Sequence, residues 1–226
     1  MAKKPIRSKK TQATKGTNWF VVGGIVILGA IALFALLYIA LREPETQTLA
    51  DFCQAADGNC ITQGDANAPV TLVEVADFGC VHCRDFHQTK ADDLKERFVD
   101  AGLVRWVSVP YALSPATVPA ANAAFCANEQ GKYYEFSRAL FNMEPASEAI
   151  IRSGFLTAGE EAGLDIGSFT SCLEDGRYNN KVSTNQAAAS SVGVNSTPSF
   201  FVNDQIIRGN VPIEEFERRF NEIINS

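Results

Sequence analysis

The sequence predicts an α/β domain in which a long helical segment interrupts a small, partly parallel sheet. Three observations point to it. Val70 to Phe78 is a run rich in β-branched and aromatic residues, preceded by the turn-like Asn67-Ala68-Pro69. A helical pattern from Cys83 through Leu94 and Phe98 follows, and then Val104 to Val109 alternates as a second strand ended by Pro110; strand, helix, strand is the order of a parallel pair. From Tyr111 to about Ser191 the pattern is helical, and strand signals return only at Pro198.

The chain opens with an appendage to that domain. Residues 1–18 carry Lys3, Lys4, Arg7, Lys9, Lys10 and Lys15 and no acid, and Trp19 to Leu41 then runs without a charge until Arg42. Such a helix would be about 34 Å long, enough for a ~30 Å hydrocarbon core. A cleavable signal peptide is the rival, but its apolar region is shorter and ends in a small-x-small site, whereas this one ends Tyr38-Ile39-Ala40-Leu41-Arg42. We therefore expect one uncleaved transmembrane helix at 19–41. The basic leader (1–18) would stay in the cytoplasm and the rest would lie outside it, a single-pass protein of the cell membrane.

Charge follows the same division. Seven of the 20 basic residues and none of the 26 acids fall in residues 1–42, so the remainder has 13 basic groups against 26 acidic ones. A domain with that balance repels phosphates and is not expected to bind nucleic acid. The acidic surface would be solvated or would steer toward basic clients.

Residues 42–65 form the expected tether, with a cysteine pair in Cys53-Gln54-Ala55-Ala56-Asp57-Gly58-Asn59-Cys60. The Asp-Gly-Asn turn can fold the chain back and let the two bridge outside the cytoplasm. Loop closure would then contribute about 2.5 kcal/mol. A structural staple, a second redox pair relaying electrons, and unpaired thiols are the three readings.

The most informative stretch is Glu74-Val75-Ala76-Asp77-Phe78-Gly79-Cys80-Val81-His82-Cys83-Arg84-Asp85-Phe86-His87. Gly79 breaks the strand and the helical pattern takes over, so Cys80 falls at or just before a first helical turn. Unpaired N–H groups and the helix dipole there favour an anion, and a thiolate is one. A cysteine so placed is acidic and reactive. A redox dithiol fits best. Zinc would need four ligands, and Cys80, Cys83 and His87 supply at most three with no second ligand pair nearby, so no metal is expected. A purely structural bridge would not require so tight a loop. Glu74 falls mid-strand between Val73 and Val75: an exposed edge position, or a partly buried carboxylate beneath the reactive pair that holds and releases a proton when Cys83 must become a thiolate. Asp77, nearer the strand end, suits turn or helix-capping work.

In the helical segment, Ala120 to Gln130 ends at Gly131, Tyr133 to Phe141 carries Tyr133, Phe136 and Leu140 at helical spacing, and Asp165 caps a helix through Leu173. Cys126 and Cys172 thus belong to different helices. Buried free thiols or a bridge worth about 4 kcal/mol are both open, and the four cysteines away from the reactive pair allow three complete pairings. Thr197-Pro198 then opens a strand, since proline suits an edge or a strand start. Asn203-Asp204 turns it into Ile206-Ile207-Arg208, and Ile213 to Ile224 is a last amphipathic helix.

Strand, CxxC, helix and strand, a helical insert, then Thr-Pro before a hairpin and a last helix: this order resembles the thioredoxin fold. The insert (about 111–191) and the histidine of Cys80-Val81-His82-Cys83 narrow the resemblance to the DsbA-like thiol–disulfide oxidoreductases, particularly membrane-anchored forms, over about residues 66–226. The resemblance implies that Cys80 is the nucleophile and Cys83 the resolving thiol. His82 would donate to the Cys80 thiolate, Glu74 would match the buried acid, and Thr197 and Pro198 would match a cis-proline loop that pairs with a client's extended chain. Val81 stands where DsbA itself, as the resemblance implies, has proline, in a dipeptide that tunes acidity and potential. The implied activity is disulfide donation to reduced client proteins, without a prosthetic group. Reoxidation would fall to a quinone-linked membrane protein resembling DsbB or the vitamin K epoxide reductases. A reductase or isomerase is the alternative within redox chemistry, and a membrane-anchored peptide-binding module is the alternative outside it.

Overall fold

The computed structural model describes residues 19–41, 48–54 and 58–225. The chain divides into two units, Met1–Thr46 and Gln47–Ser226. In the first, Trp19–Leu41 forms a single helix of 23 residues, and Phe20, Leu28 and Phe34 are exposed on it. Among the described residues no helix is long and apolar enough to cross a membrane. The basic leader and residues 42–47 of the expected tether lie outside the described residues.

Of the expected tether over 42–65, residues 48–54 and 58–65 are described, and they are folded into the second unit. Leu49–Gln54 is a short helix with Leu49 buried. Its start is a reciprocal cap: Thr48 Oγ1 accepts from the Asp51 N–H at 3.1 Å, and Asp51 Oδ2 accepts from the Thr48 N–H at 3.2 Å. Strand β1, Ile61–Gln63, then joins the sheet. Burial of Leu49 and Ile61 stabilises what their polar neighbours disguise.

The sheet has five strands in the order β1-β3-β2-β4-β5, with β2 at Val70–Ala76, β3 at Val104–Pro110, β4 at Ser199–Val202 and β5 at Gln205–Arg208. β2 and β3 are the expected parallel pair, with Val70 opposite Val104 and Ala76 opposite Pro110. The other neighbours are antiparallel. β2 is central and covered on both faces, which explains its near-continuous apolar run. On one face Leu72 packs with Phe86, Phe98, Phe200, Phe216 and Phe220 beneath two helices. On the other, Val73 and Val75 pack with Leu49, Val107, Ala189 and Val194. Pro198 lies just before β4, which is an interior strand, so it marks a strand start and not an edge.

One helix links β2 to β3 over residues 81–99, alternating α turns (Val81–Phe86, Asp92–Leu94) with π turns (His87–Ala91, Lys95–Val99). It closes at Gly102, whose φ of 73° admits glycine readily. The insert comprises the helices Val118–Glu129, Tyr133–Asn142, Arg152–Glu161, Ile166–Glu174 and Asn179–Ser191. Its own core is built on Phe125, Phe136, Phe141, Phe155 and Phe169, and it also takes in Phe78 and Cys83. The Cys126–Cys172 disulfide crosses that core, and a second joins Cys53 to Cys60. Asp165 caps its helix through the Ser168 N–H at 2.8 Å. The last helix, Ile213–Ile224, packs Phe216 and Phe220 on the sheet.

Candidate active site

Cys80 is the N-cap of the helix over 81–99, with extended dihedrals of −85° and 120°. It is half-buried, Cys83 is fully buried, and both are free thiols, so the structure is that of the dithiol state. The Thr197–Pro198 peptide is cis and brings the Thr197 carbonyl within 3.3 Å of Cys80 Sγ, whose S–H donates to it. Residues 117 positions apart in sequence thus meet at one sulfur.

The two thiols differ sharply in acidity. The Cys83 S–H is the strongest influence on Cys80; with the Thr197 hydroxyl and the backbone N–H groups of Cys83 and His82, it outweighs burial and lowers the Cys80 pKa from 9.0 to about 5. The Thr197 hydroxyl is buried and has no hydrogen-bond partner among the described residues. Burial first, and the adjacent Cys80 sulfur second, push the Cys83 thiol well above its ordinary value. One sulfur is therefore half-buried and acidic, and the other is enclosed and holds its proton.

Of the other expected site residues, His82 is exposed and Glu74 is buried. The His82 side chain is exposed, and it is the backbone N–H of His82 that supports the thiolate. The dipeptide position matters through the helix start, where successive N–H groups converge. Glu74 is 2% exposed, but His87 Nε2 and Trp106 Nε1 engage its two oxygens, at 2.7 Å and 3.0 Å. The His87 ring stacks on Phe141 at 4.0 Å. Sequence reasoning considered His87 only as a metal ligand; its ring nitrogen instead faces a buried acid thirteen residues away. A cavity of about 450 Å³ opens beside this pair, walled by Trp106, Tyr133, Tyr134 and Phe141, and neither cysteine nor Thr197 lines it.

The loop into Cys80 is held from below. Phe78 stacks on Phe141 at 4.8 Å. Asp77 does the turn work expected of it, accepting from the Gly79 N–H at 2.7 Å, and it also reaches the insert through Leu113 and Thr117. Nothing local in the sequence names Leu113 or Thr117 as partners.

The thioredoxin family model matches residues 56–222. The chain belongs to the thioredoxin family. Among solved members of this fold, DsbA of Chlamydia trachomatis superposes with a TM-score of 0.67 at 20% identity, covering 73% of this chain and 91% of that one. A thioredoxin-like oxidoreductase from Silicibacter pomeroyi gives 0.65 at 30% identity, covering 75% and 95%. Among curated relatives, an Na(+)/H(+) antiporter NhaA of Herminiimonas arsenicoxydans is 32% identical over 148 residues, which are 65% of this chain and 23% of the antiporter. The match thus spans about a quarter of that protein. A putative protein-disulfide oxidoreductase of Rickettsia felis is 24% identical over 161 residues, 70% of this chain and 58% of the relative.

Proposed function

We propose that this protein is a membrane-anchored thiol–disulfide oxidoreductase that donates the Cys80–Cys83 disulfide to reduced client proteins outside the cytoplasm. The observation that carries the reading is the asymmetry of the pair: a Cys80 thiolate stabilised by converging donors beside a buried, protonated Cys83. A dithiol whose thiolate is stabilised gives up its disulfide readily, because the leaving sulfur is a good one. The named oxidoreductases among its relatives support the same chemistry.

In the oxidised enzyme a client thiolate attacks Cys80 Sγ, the more accessible sulfur. The Cys80–Cys83 bond breaks, Cys83 leaves as a thiolate and takes a proton, and a mixed disulfide forms. A second client thiolate then attacks the client's own sulfur in that bond. The client disulfide forms, Cys80 leaves as the stabilised thiolate, and two electrons have passed from client to enzyme. The Thr197 carbonyl and the cis-proline loop beside Cys80 give an extended client chain a backbone partner. A quinone-linked membrane protein resembling DsbB or a vitamin K epoxide reductase would accept the electrons from the dithiol. The uncharged 23-residue helix and the basic leader before it support anchoring in the same membrane, with the leader on the cytoplasmic side.

Equilibration with glutathione tests the direction. A potential near ~−120 mV is expected for a disulfide donor, whereas one near ~−270 mV would reject donation in favour of a reductase. A Cys83→Ser variant should trap clients as mixed disulfides. A protein that only binds peptides would form no covalent adduct.

A further inference from the structure

Asp77 is 1% exposed and three residues before the nucleophile, yet its carboxylate has no basic partner among the described residues. It accepts instead from three neutral donors. Oδ1 takes the Gly79 N–H at 2.7 Å, while Oδ2 takes the Leu113 N–H at 2.6 Å and the Thr117 hydroxyl at 2.7 Å. Its main-chain carbonyl accepts from the Cys80 N–H at 3.0 Å. One residue therefore binds the loop that carries Cys80 to the segment that opens the helical insert. The fit leaves no slack: a Cβ on Gly79 would meet Thr117 Cγ2 at 2.6 Å and Ile150 Cγ2 at 3.2 Å.

We propose that Asp77 is a positioning residue for the reaction: its carboxylate fixes the Cys80 sulfur at the point where the thiolate's donors converge. The inference rests on Cys80 being the reacting thiol. By charge alone, a buried carboxylate near a thiolate works against it, since a like charge disfavours ionisation. What the thiolate gains is directional. The Cys83 thiol and the N–H groups lie on the helix that follows Cys80, the Thr197 hydroxyl lies on a separate segment, and hydrogen bonds weaken steeply with distance and angle. A loop held by fewer bonds would let the sulfur drift from that set.

Position and charge make opposite predictions. Removing a negative charge should lower the Cys80 pKa, and losing position should raise it. The test is the pH dependence of Cys80 alkylation in the reduced, full-length protein, with Cys80 resolved by mass spectrometry, in wild type, Asp77→Ala and Thr117→Val. We expect the Asp77→Ala midpoint to rise by about one unit. Thr117→Val, which alters no charge, should move it the same way by less. An unchanged or lowered midpoint in folded Asp77→Ala overturns the proposal. Should that variant fail to fold, an unchanged midpoint in Thr117→Val overturns it. A wild-type midpoint that is itself not depressed would instead reject Cys80 as the reactive thiol, a separate failure.

Discussion

Replacing Gly79 with alanine should displace the reactive loop through one contact, and a second substitution should restore it. The new Cβ would lie 2.6 Å from Thr117 Cγ2, against ordinary carbon–carbon contact at about 3.5–4.0 Å, so something must move by about 1 Å. Overpacking of this size costs about 1–3 kcal/mol. Alanine recovers about 0.4–1 kcal/mol by restricting the unfolded chain. A net loss of about 1–2 kcal/mol follows from those two effects. Thr117→Ser removes the offending methyl and keeps the hydroxyl on Asp77, at a cost of about 1 kcal/mol for the lost buried group. The double variant should be more stable than the sum of the singles by about 1 kcal/mol or more. Ile150 Cγ2 at 3.2 Å leaves some strain unrelieved. Denaturant unfolding of the four proteins gives the coupling, and Cys80 alkylation should recover in parallel. Strictly additive losses would refute the contact as the cause.

Four further outcomes are expected. Alkylation of Cys80 in the reduced protein should rise to a plateau with a midpoint at about pH 5, while buried Cys83 stays unmodified until the protein unfolds. The folded thiolate's pKa is depressed, so its contribution to the reduced form is complete above the unfolded value of 9.0 and lost as pH falls through about 5. The melting temperature of the reduced form relative to the oxidised form should therefore increase with pH across that window. Glu74→Gln, which can still accept from Trp106 or His87, should be milder than Glu74→Ala, which strands the Trp106 N–H and should cost about 3 kcal/mol in chemical denaturation. Replacing both Cys126 and Cys172 with alanine should lower stability by about 2–4 kcal/mol while leaving the Cys80 midpoint in place, because their bridge sits in the insert's core.

The order of elements was legible because it rests on local patterns. The apolar run at Val70, the break at Gly79, the alternation from Val104 and the proline before Ser199 each reflect backbone preferences acting over a few residues. Cys80 at a helix start follows from the same signals, since its placement needs only Gly79 behind it and a helical pattern ahead. The cap at Asp165 was local too. The short helix at Leu49–Gln54 had a comparable signal in Thr48 and Asp51, hidden by the polar stretch around it.

Partnerships across the fold were decided only in three dimensions. That Glu74 meets His87 and Trp106 depends on how the helix over 81–99 lies on the sheet, and that Asp77 meets Leu113 and Thr117 depends on where the insert lands. That the His82 side chain is exposed, while its backbone N–H supports the Cys80 thiolate, is a side-chain direction that no spacing fixes. Cysteine counts left three complete pairings, and packing of the Val118–Glu129 and Ile166–Glu174 helices brought Cys126 to Cys172. Sequence determined that Cys80 stands at a helix start, three residues before a second thiol. Tertiary structure decided how the acidity of the Cys80 sulfur is set, because the helix start beside it must form and Thr197, 117 residues away, must come within hydrogen-bond range.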